Sequence, residues 1–234
     1  MRDLRIVFMG TPDFAVGILK KLLEEKKNIV GVITAPDRPA GRGRKLRPSA
    51  VKEFAVSKNL PVLQPTNLKN DAFLTELKEL KANLQIVVAF RMLPKVVWSL
   101  PEYGTFNLHA SLLPQYRGAA PVQWAVYHGE KETGVSVIQM TAGLDAGPCL
   151  IQQLVEIGST ETAEQLESRL SFVGVDAVRD SIELLLRHSD FSQSPGVVQD
   201  AANISLAPRL RKSDGEVQWS RSAQEIYYQV RAFK

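Results

Sequence analysis

Two spacings of apolar residues alternate along this chain. Leu4 to Met9 is a short β-rich run, closed by Gly10-Thr-Pro-Asp13. Thr11 is placed to cap a helix and Pro12 to take its first position. Phe14, Ile18 and Leu22 then recur at helical spacing, and Ile29 to Thr34 returns to a strand pattern. Strand, helix and strand in that order predict a parallel sheet with helices on its faces. The alternation continues with a helix over 51–58, a short strand over 62–64 and a helix carrying Phe73, Leu74, Leu77 and Leu80. Leu84 to Ala89 is almost wholly apolar, as expected of a central strand covered on both sides. Thr105 to His109 is the next strand, and Pro121 opens a helix through Tyr127. Val135 to Met140 and Leu150 to Val155 flank a turn and are expected to pair. Thr162 opens a long helix with Leu166, Leu170, Val173 and Ala177 on one face.

Two stretches break the alternation. Residues 36–49 hold three prolines and two glycines and read as an exposed loop. From Ser189 the periodic apolar positions thin out, so 1–189 is expected as one domain and 190–208 as a linker. Residues 209–234 then read as the start of a second unit. A piece that short cannot bury a core alone. Either it packs on the preceding domain, or the natural chain continues.

Composition narrows the class. A 44% apolar and 23% charged chain is an ordinary globular protein. No run of 18 uncharged apolar residues is present, so no membrane span is expected. Cys149 is the single cysteine, which leaves no intrachain disulfide and points to a reducing cytoplasm. The net charge of +4 is concentrated: Arg38, Arg42, Arg44, Lys45 and Arg47 lie in the 36–49 segment against Asp37 alone. Five cations on an otherwise neutral body suggest local contact with a polyanion such as RNA.

The chemistry concentrates in Gly104-Thr-Phe-Asn-Leu-His-Ala-Ser-Leu-Leu-Pro114 and Gly143-Leu-Asp-Ala-Gly147. Asn107 and His109 alternate on a strand and so share a face. Moving an acyl-type carbon between nitrogens needs a donor for the developing oxyanion, a group that handles a proton near neutrality, and a carboxylate to orient it. Asn107, His109 and Asp145 supply those types. No Gly-x-Ser-x-Gly elbow surrounds Ser111, and no Cys or His spacing suits a metal. The Gly-x-Gly at Gly41 lacks a third glycine and a following helix, which argues against a dinucleotide site. Tyr116 and Arg117 can stack on a ring, line an entrance or hold a turn.

Phe8-Met-Gly-Thr-Pro-Asp-Phe14, Pro36-Asp-Arg-Pro-Ala-Gly-Arg-Gly43, Asn107-Leu-His-Ala-Ser-Leu-Leu-Pro114, Arg117-Gly-Ala-Ala-Pro121, Gly143-Leu-Asp-Ala-Gly147 and Trp219-Ser-Arg-Ser-Ala223 together resemble the methionyl-tRNA formyltransferase family. It lies within the wider folate-dependent formyltransferase superfamily. The resemblance implies an open, mainly parallel Rossmann-like sheet, a linker and the start of a C-terminal tRNA-binding β-barrel. It implies transfer of a formyl group from 10-formyltetrahydrofolate to the α-amino group of initiator methionyl-tRNA, without a metal. It carries over Asn107, His109 and Asp145 as the catalytic trio. Ser111, Leu112, Leu113 and Pro114 carry over as folate contacts, and the basic segment around Arg42 as the tRNA contact. Phe90, Arg91 and Leu93 are expected at the pterin. There the chain departs from the family's usual Ala-Tyr-Gly, reading Ala89-Phe-Arg-Met-Leu-Pro94. A monomer is expected. The rival readings are a formyl enzyme acting on a sugar nucleotide, glycinamide ribonucleotide or water, and a silent RNA-binding module.

Overall fold

The computed structural model describes residues 3–40, 45–188 and 194–234. It resolves into two compact units, Met1–Leu108 with Ile182–Gln193, and His109–Ser181 with Ser194–Lys234.

The first unit holds β1 (Ile6–Gly10), α1 (Asp13–Glu24), β2 (Ile29–Ile33), β3 (Arg38–Ala40), β4 (Lys45–Arg47), α2 (Ala50–Ser57), β5 (Val62–Leu63), α3 (Asp71–Glu79), β6 (Leu84–Val88), α4 (Lys95–Trp98) and all but the last residue of β7 (Thr105–His109). Its sheet runs β7-β6-β1-β2-β5, and every pairing is parallel. Every residue of β1 and β6 is buried, which is why both read as almost wholly apolar runs, with Gln85 the one polar side chain. Helix α1 turns Ala15, Ile18, Leu19 and Leu22 inward. It begins one residue later than expected. Pro12 is the N-cap and makes no side-chain cap bond, and Asp13 in the first turn favours the positive helix end instead. Ser49 caps α2, its hydroxyl accepting from the Lys52 amide at 3.1 Å.

The expected 36–49 loop is a correction. Its described parts form an antiparallel hairpin, with Arg38 opposite Arg47 and Ala40 opposite Lys45. Asp37 fixes one end of it, 2.6 Å from Lys52 Nζ and accepting from Gln64 Nε2 at 2.8 Å. Those two partners, Gln64 first, hold the Asp37 carboxyl below the usual carboxylate range. Strands of three residues interrupted by proline leave no alternation to detect.

The second unit holds His109, β8 (Arg117–Gly118), α5 (Pro121–Tyr127), β9 (Glu132–Gln139), β10 (Cys149–Glu156), most of α6 (Ala163–Arg187), β11 (Leu206–Ala207) and α7 (Ala223–Phe233). Strands β9 and β10 pair antiparallel, as the turn between them predicts. Five parallel strands and this antiparallel pair give a mixed, mostly parallel α/β protein. Helix α6 opens on a reciprocal cap: the Gln165 amide donates to Thr162 Oγ1 at 3.3 Å, and the Thr162 amide to Gln165 Oε1 at 2.9 Å. Leu166, Leu170 and Ala177 are buried along it, while Val173 is half-buried.

Within the expected linker, residues 194–208 bond to this unit along their length. Val197 and Cys149 exchange two backbone bonds of 2.8 Å, β11 pairs with β8, and the Pro208 carbonyl accepts from Trp124 Nε1 at 2.7 Å. Residues 209–234 form a 3-10 turn (Lys212–Gly215) and α7, with no β-strand among them. Helix α7 packs on α5 through Phe233, stacked on Tyr127 at 5.4 Å and edge-on to Trp124 at 6.1 Å. These residues therefore pack on α5 of the same unit.

Candidate active site

His109 ends β7 and is 6% exposed. Its Nε2 lies 2.8 Å from the Tyr116 backbone carbonyl. A carbonyl only accepts, so Nε2 carries a proton and the neutral ring keeps its lone pair on Nδ1. Nδ1 faces Asp145 Oδ2 at 3.7 Å. That separation is an ion-pair distance and too long for a hydrogen bond. Asp145 thus stands beside the imidazole without a hydrogen bond to it, and the direct bond on the ring comes from Tyr116.

Asp145 is held from three sides. Its backbone is left-handed, with φ of +45°. Its Oδ2 accepts from the Gly118 amide at 2.9 Å. Gln199 Nε2 donates to the carbonyls of Asp145 and Gly147, each at 2.7 Å. Gln199 Oε1 in turn accepts from Arg117 Nε at 3.1 Å and Nη2 at 2.6 Å. Of the roles open to Arg117, bracing this turn is the one its contacts show. Gly147 is obligatory here, because a Cβ would stand 1.7 Å from the Gln139 carbonyl oxygen.

The Ser111–Pro114 segment is tied down by β9 and β10. Ser136 Oγ donates to the Ser111 carbonyl at 2.6 Å and accepts from the Leu113 amide at 3.0 Å. Gln152 Nε2 donates to the Leu113 carbonyl at 2.8 Å. Ser111 is fully buried and donates to the Gln115 carbonyl at 2.6 Å, which is a structural bond and no sign of a nucleophile. Leu112 and Pro114 are half-buried, while Leu113 is buried.

In the first unit, Asn107 sits on β7 opposite Val87 and is half-buried. Phe90 and Arg91 are half-buried and Leu93 is buried. The Arg91 guanidinium donates to the carbonyls of Pro65 and Thr66, the latter at 3.0 Å, and lies 5.5 Å from the Phe90 ring centre. Burial, then the nearby Arg38 charge, lowers its pKa. The departure at Arg91 is thus a cation occupied with the backbone of Pro65 and Thr66. Arg38 and Arg47 are exposed on the hairpin, where Lys45 pairs with Ala40. Arg42 and Arg44 lie outside the described residues. Among the described residues no cluster of His, Cys, Asp and Glu could hold a metal, and no helix is long and apolar enough to cross a membrane.

The sequence pattern missed Gln199, Ser136, Gln152 and the Tyr116 carbonyl. The three side chains act through contacts to the backbone of distant residues, and the Tyr116 carbonyl through the ring of His109, and no spacing signals that.

The family described as Formyl transferase matches residues 4–182. Methionyl-tRNA formyltransferase of Parabacteroides distasonis is 51% identical over 98% of this chain and 71% of its own length. That of Flavobacterium johnsoniae is 49% identical over 99% and 72%. Among solved structures, a sugar 3N-formyl transferase crystallised with dTDP and 5-N-formyl-THF superposes with a TM-score of 0.73 at 21% identity, covering all of this chain and 80% of that one. Glycinamide ribonucleotide transformylase 1 of Symbiobacterium toebii gives 0.64 at 21% identity, over 77% and 86%. With the family spanning most of the sequence and relatives about half identical along nearly all of it, the chain belongs to the formyl transferase family, among its methionyl-tRNA formyltransferases.

Proposed function

We propose that this chain transfers the formyl group of 10-formyltetrahydrofolate to the α-amino group of initiator methionyl-tRNA, at the start of translation in the cytoplasm. The observation that carries the chemistry is the His109 ring. It is pinned at Nε2, so its one available lone pair is on Nδ1, beside a carboxylate. The amine attacks the formyl carbon, forming a C–N bond as the carbonyl pair moves to oxygen. Asn107, two residues before His109 on β7, donates its amide to that oxyanion. His109 Nδ1 takes the proton from the attacking nitrogen, and Asp145 stabilises the imidazolium. The same proton passes to the departing nitrogen of tetrahydrofolate as the old C–N bond breaks. A free amine has a pKa of about 8, so a useful fraction is neutral at pH 7 without a protein nucleophile.

Ser111 to Pro114 offers the donor a segment whose backbone is already fixed by Ser136 and Gln152. The segment is thus ordered before the donor arrives. Phe90, Arg91 and Leu93 are assigned to the pterin side. Arg38, Arg42, Arg44, Lys45 and Arg47 are assigned to the acceptor-stem phosphates. A segment with five cations between residues 36 and 49 suits a polyanion better than a sugar nucleotide or water. The test compares formyl transfer from 10-formyltetrahydrofolate to methionyl-tRNA, to an aminosugar nucleotide and to glycinamide ribonucleotide. Rapid transfer to methionyl-tRNA alone is expected. Asn107→Ala should lower kcat by on the order of 100-fold. Near-parental turnover in that variant removes Asn107 from the chemistry.

A further inference from the structure

Tyr116 is a tyrosine in the left-handed backbone region, with φ of +58°. That conformation is costly for a bulky residue and persists only where its surroundings hold it. Here they do so at both ends. Its amide donates to Ser205 Oγ at 2.8 Å, and the next amide, of Arg117, donates to the Ser205 carbonyl at 2.9 Å. Its phenol is buried and donates to Glu130 Oε1 at 2.5 Å. The same oxygen lies 3.2 Å from His128 Nδ1. The phenol has a single proton, and a carboxylate can only accept. His128 Nδ1 must therefore be the donor to the phenol oxygen. Burial, then the Glu130 hydrogen bond and charge, push the phenol pKa upward, so it stays a donor at any neutral pH.

The other product of this conformation is the direction of the Tyr116 carbonyl, which points at His109 Nε2 from 2.8 Å. We infer that Tyr116, clamped by Glu130, His128 and Ser205, is a positioning residue for His109. Its carbonyl selects the Nε2–H tautomer and aims the Nδ1 lone pair at the reacting amine. Asp145 cannot make that selection, since its carboxylate stands beyond hydrogen-bond distance of Nδ1 and bonds the Gly118 amide. Left alone, a carboxylate beside Nδ1 would favour a proton on Nδ1, the tautomer unable to accept from the amine. The Tyr116 carbonyl opposes that preference.

The inference rests on the proposed formyl transfer for its consequence, but its geometry is read independently. The chain has three histidines, so the 15N signals of the His109 ring can be assigned as those lost in a His109→Asn variant. At a pH where the ring is neutral, the parent should show a protonated Nε2 and a bare Nδ1. Tyr116→Phe keeps the ring packing and loses only the phenol end of the clamp, since both bonds to Ser205 come from backbone amides. It should still show a mixture of tautomers and a kcat lowered about tenfold, with KM for both substrates within about twofold. Glu130→Leu should behave the same way, and Glu130→Gln, which keeps an oxygen acceptor, should recover most of the loss. The double variant Tyr116→Phe with Glu130→Leu should be no worse than either alone. A parent ring protonated mainly on Nδ1, or a Tyr116→Phe ring still wholly Nε2–H at parental kcat, overturns the inference. If the parent proves inactive on methionyl-tRNA, the functional reading fails, while the nitrogen spectra still decide the role of Tyr116.

Discussion

Replacing Gln199 by Ala removes four hydrogen bonds at once: two donated to the carbonyls of Asp145 and Gly147, and two accepted from Arg117. A neutral bond contributes about 0.5–1.5 kcal/mol and one to a charged group about 1.5–3 kcal/mol. Their plain sum overshoots, because Gln199 is half-buried and water replaces part of what is lost. A loss of about 2–3 kcal/mol is expected, read as a lower denaturant midpoint at unchanged slope. The larger effect falls on the reaction. Asp145 keeps its left-handed backbone because its carbonyl is tied to Gln199, and a displaced carboxylate no longer faces His109 Nδ1. Turnover should fall on the order of 10- to 100-fold, with KM little changed. Gln199→Glu separates the two halves of the clamp. It keeps and strengthens the Arg117 pair but cannot donate to either carbonyl. It should therefore lose as much kcat as Gln199→Ala while losing less stability. If Gln199→Ala turns over like the parent despite its lower stability, the clamp does not govern the position of Asp145.

Two further outcomes follow from buried groups. The Tyr116 phenol has its folded pKa raised above the ordinary value of about 10, so its contribution is fully present below pH 10 and is lost as pH rises beyond that. Alkaline denaturation should show an added slope approaching 1.4 kcal/mol per pH unit above about pH 10, absent in Tyr116→Phe; equal slopes in both proteins refute it. Ser136→Ala leaves the Leu113 amide buried without its acceptor, at a cost of about 1–3 kcal/mol, and should raise KM for the folate donor more than it lowers kcat. An unchanged donor KM would detach the Ser111–Pro114 segment from folate binding.

What the sequence made legible is what repeats. Ile6 to Gly10 and Leu84 to Val88 are buried on both faces and announce themselves as runs that are apolar but for Gln85. Phe73 and Leu77 mark α3 through the period of the helix. The glycines at 143 and 147 bracketed the Asp145 turn, and alternation on β7 placed Asn107 and His109 two positions apart. Elements of two or three residues, such as β3, β4, β8 and β11, are too short to show a period. Residues 194–208 read as a linker because they carry few periodic apolar positions. They are held by single polar contacts instead: Gln199 to Arg117, Ser205 to Tyr116, and the Pro208 carbonyl to Trp124. Such contacts span some 80 to 90 positions and leave no local mark on either partner. The left-handed backbone of Tyr116 was equally hidden, since glycine or asparagine signals that conformation and tyrosine does not.

Gly129 shows how the last helix is joined to this machinery. It lies in the turn after α5, with φ of +71°, and a Cβ there would stand 2.2 Å from Cε2 of Tyr228 on α7. Ala at this position meets two separate costs. The left-handed backbone costs about 1–2 kcal/mol for any residue with a Cβ. The second cost is displacing the Tyr228 ring, whose hydroxyl accepts from Gln224 Nε2 at 2.7 Å and whose centre lies 5.7 Å from the Arg231 guanidinium. Beside that ring is a cavity of about 210 Å³, lined by Gly129, Tyr228 and Arg231 among others, into which it can partly swing. The steric share should therefore be moderate, on the order of 1–3 kcal/mol. A double-mutant cycle isolates it. In a Tyr228→Ala background the clash is gone, so Gly129→Ala should cost only the backbone share, and the coupling between the two sites should equal the remainder. Equal costs in both backgrounds would mean that Tyr228 does not seat on Gly129 in solution. The close packing of α7 against the turn that leads into Glu130 would then have no support.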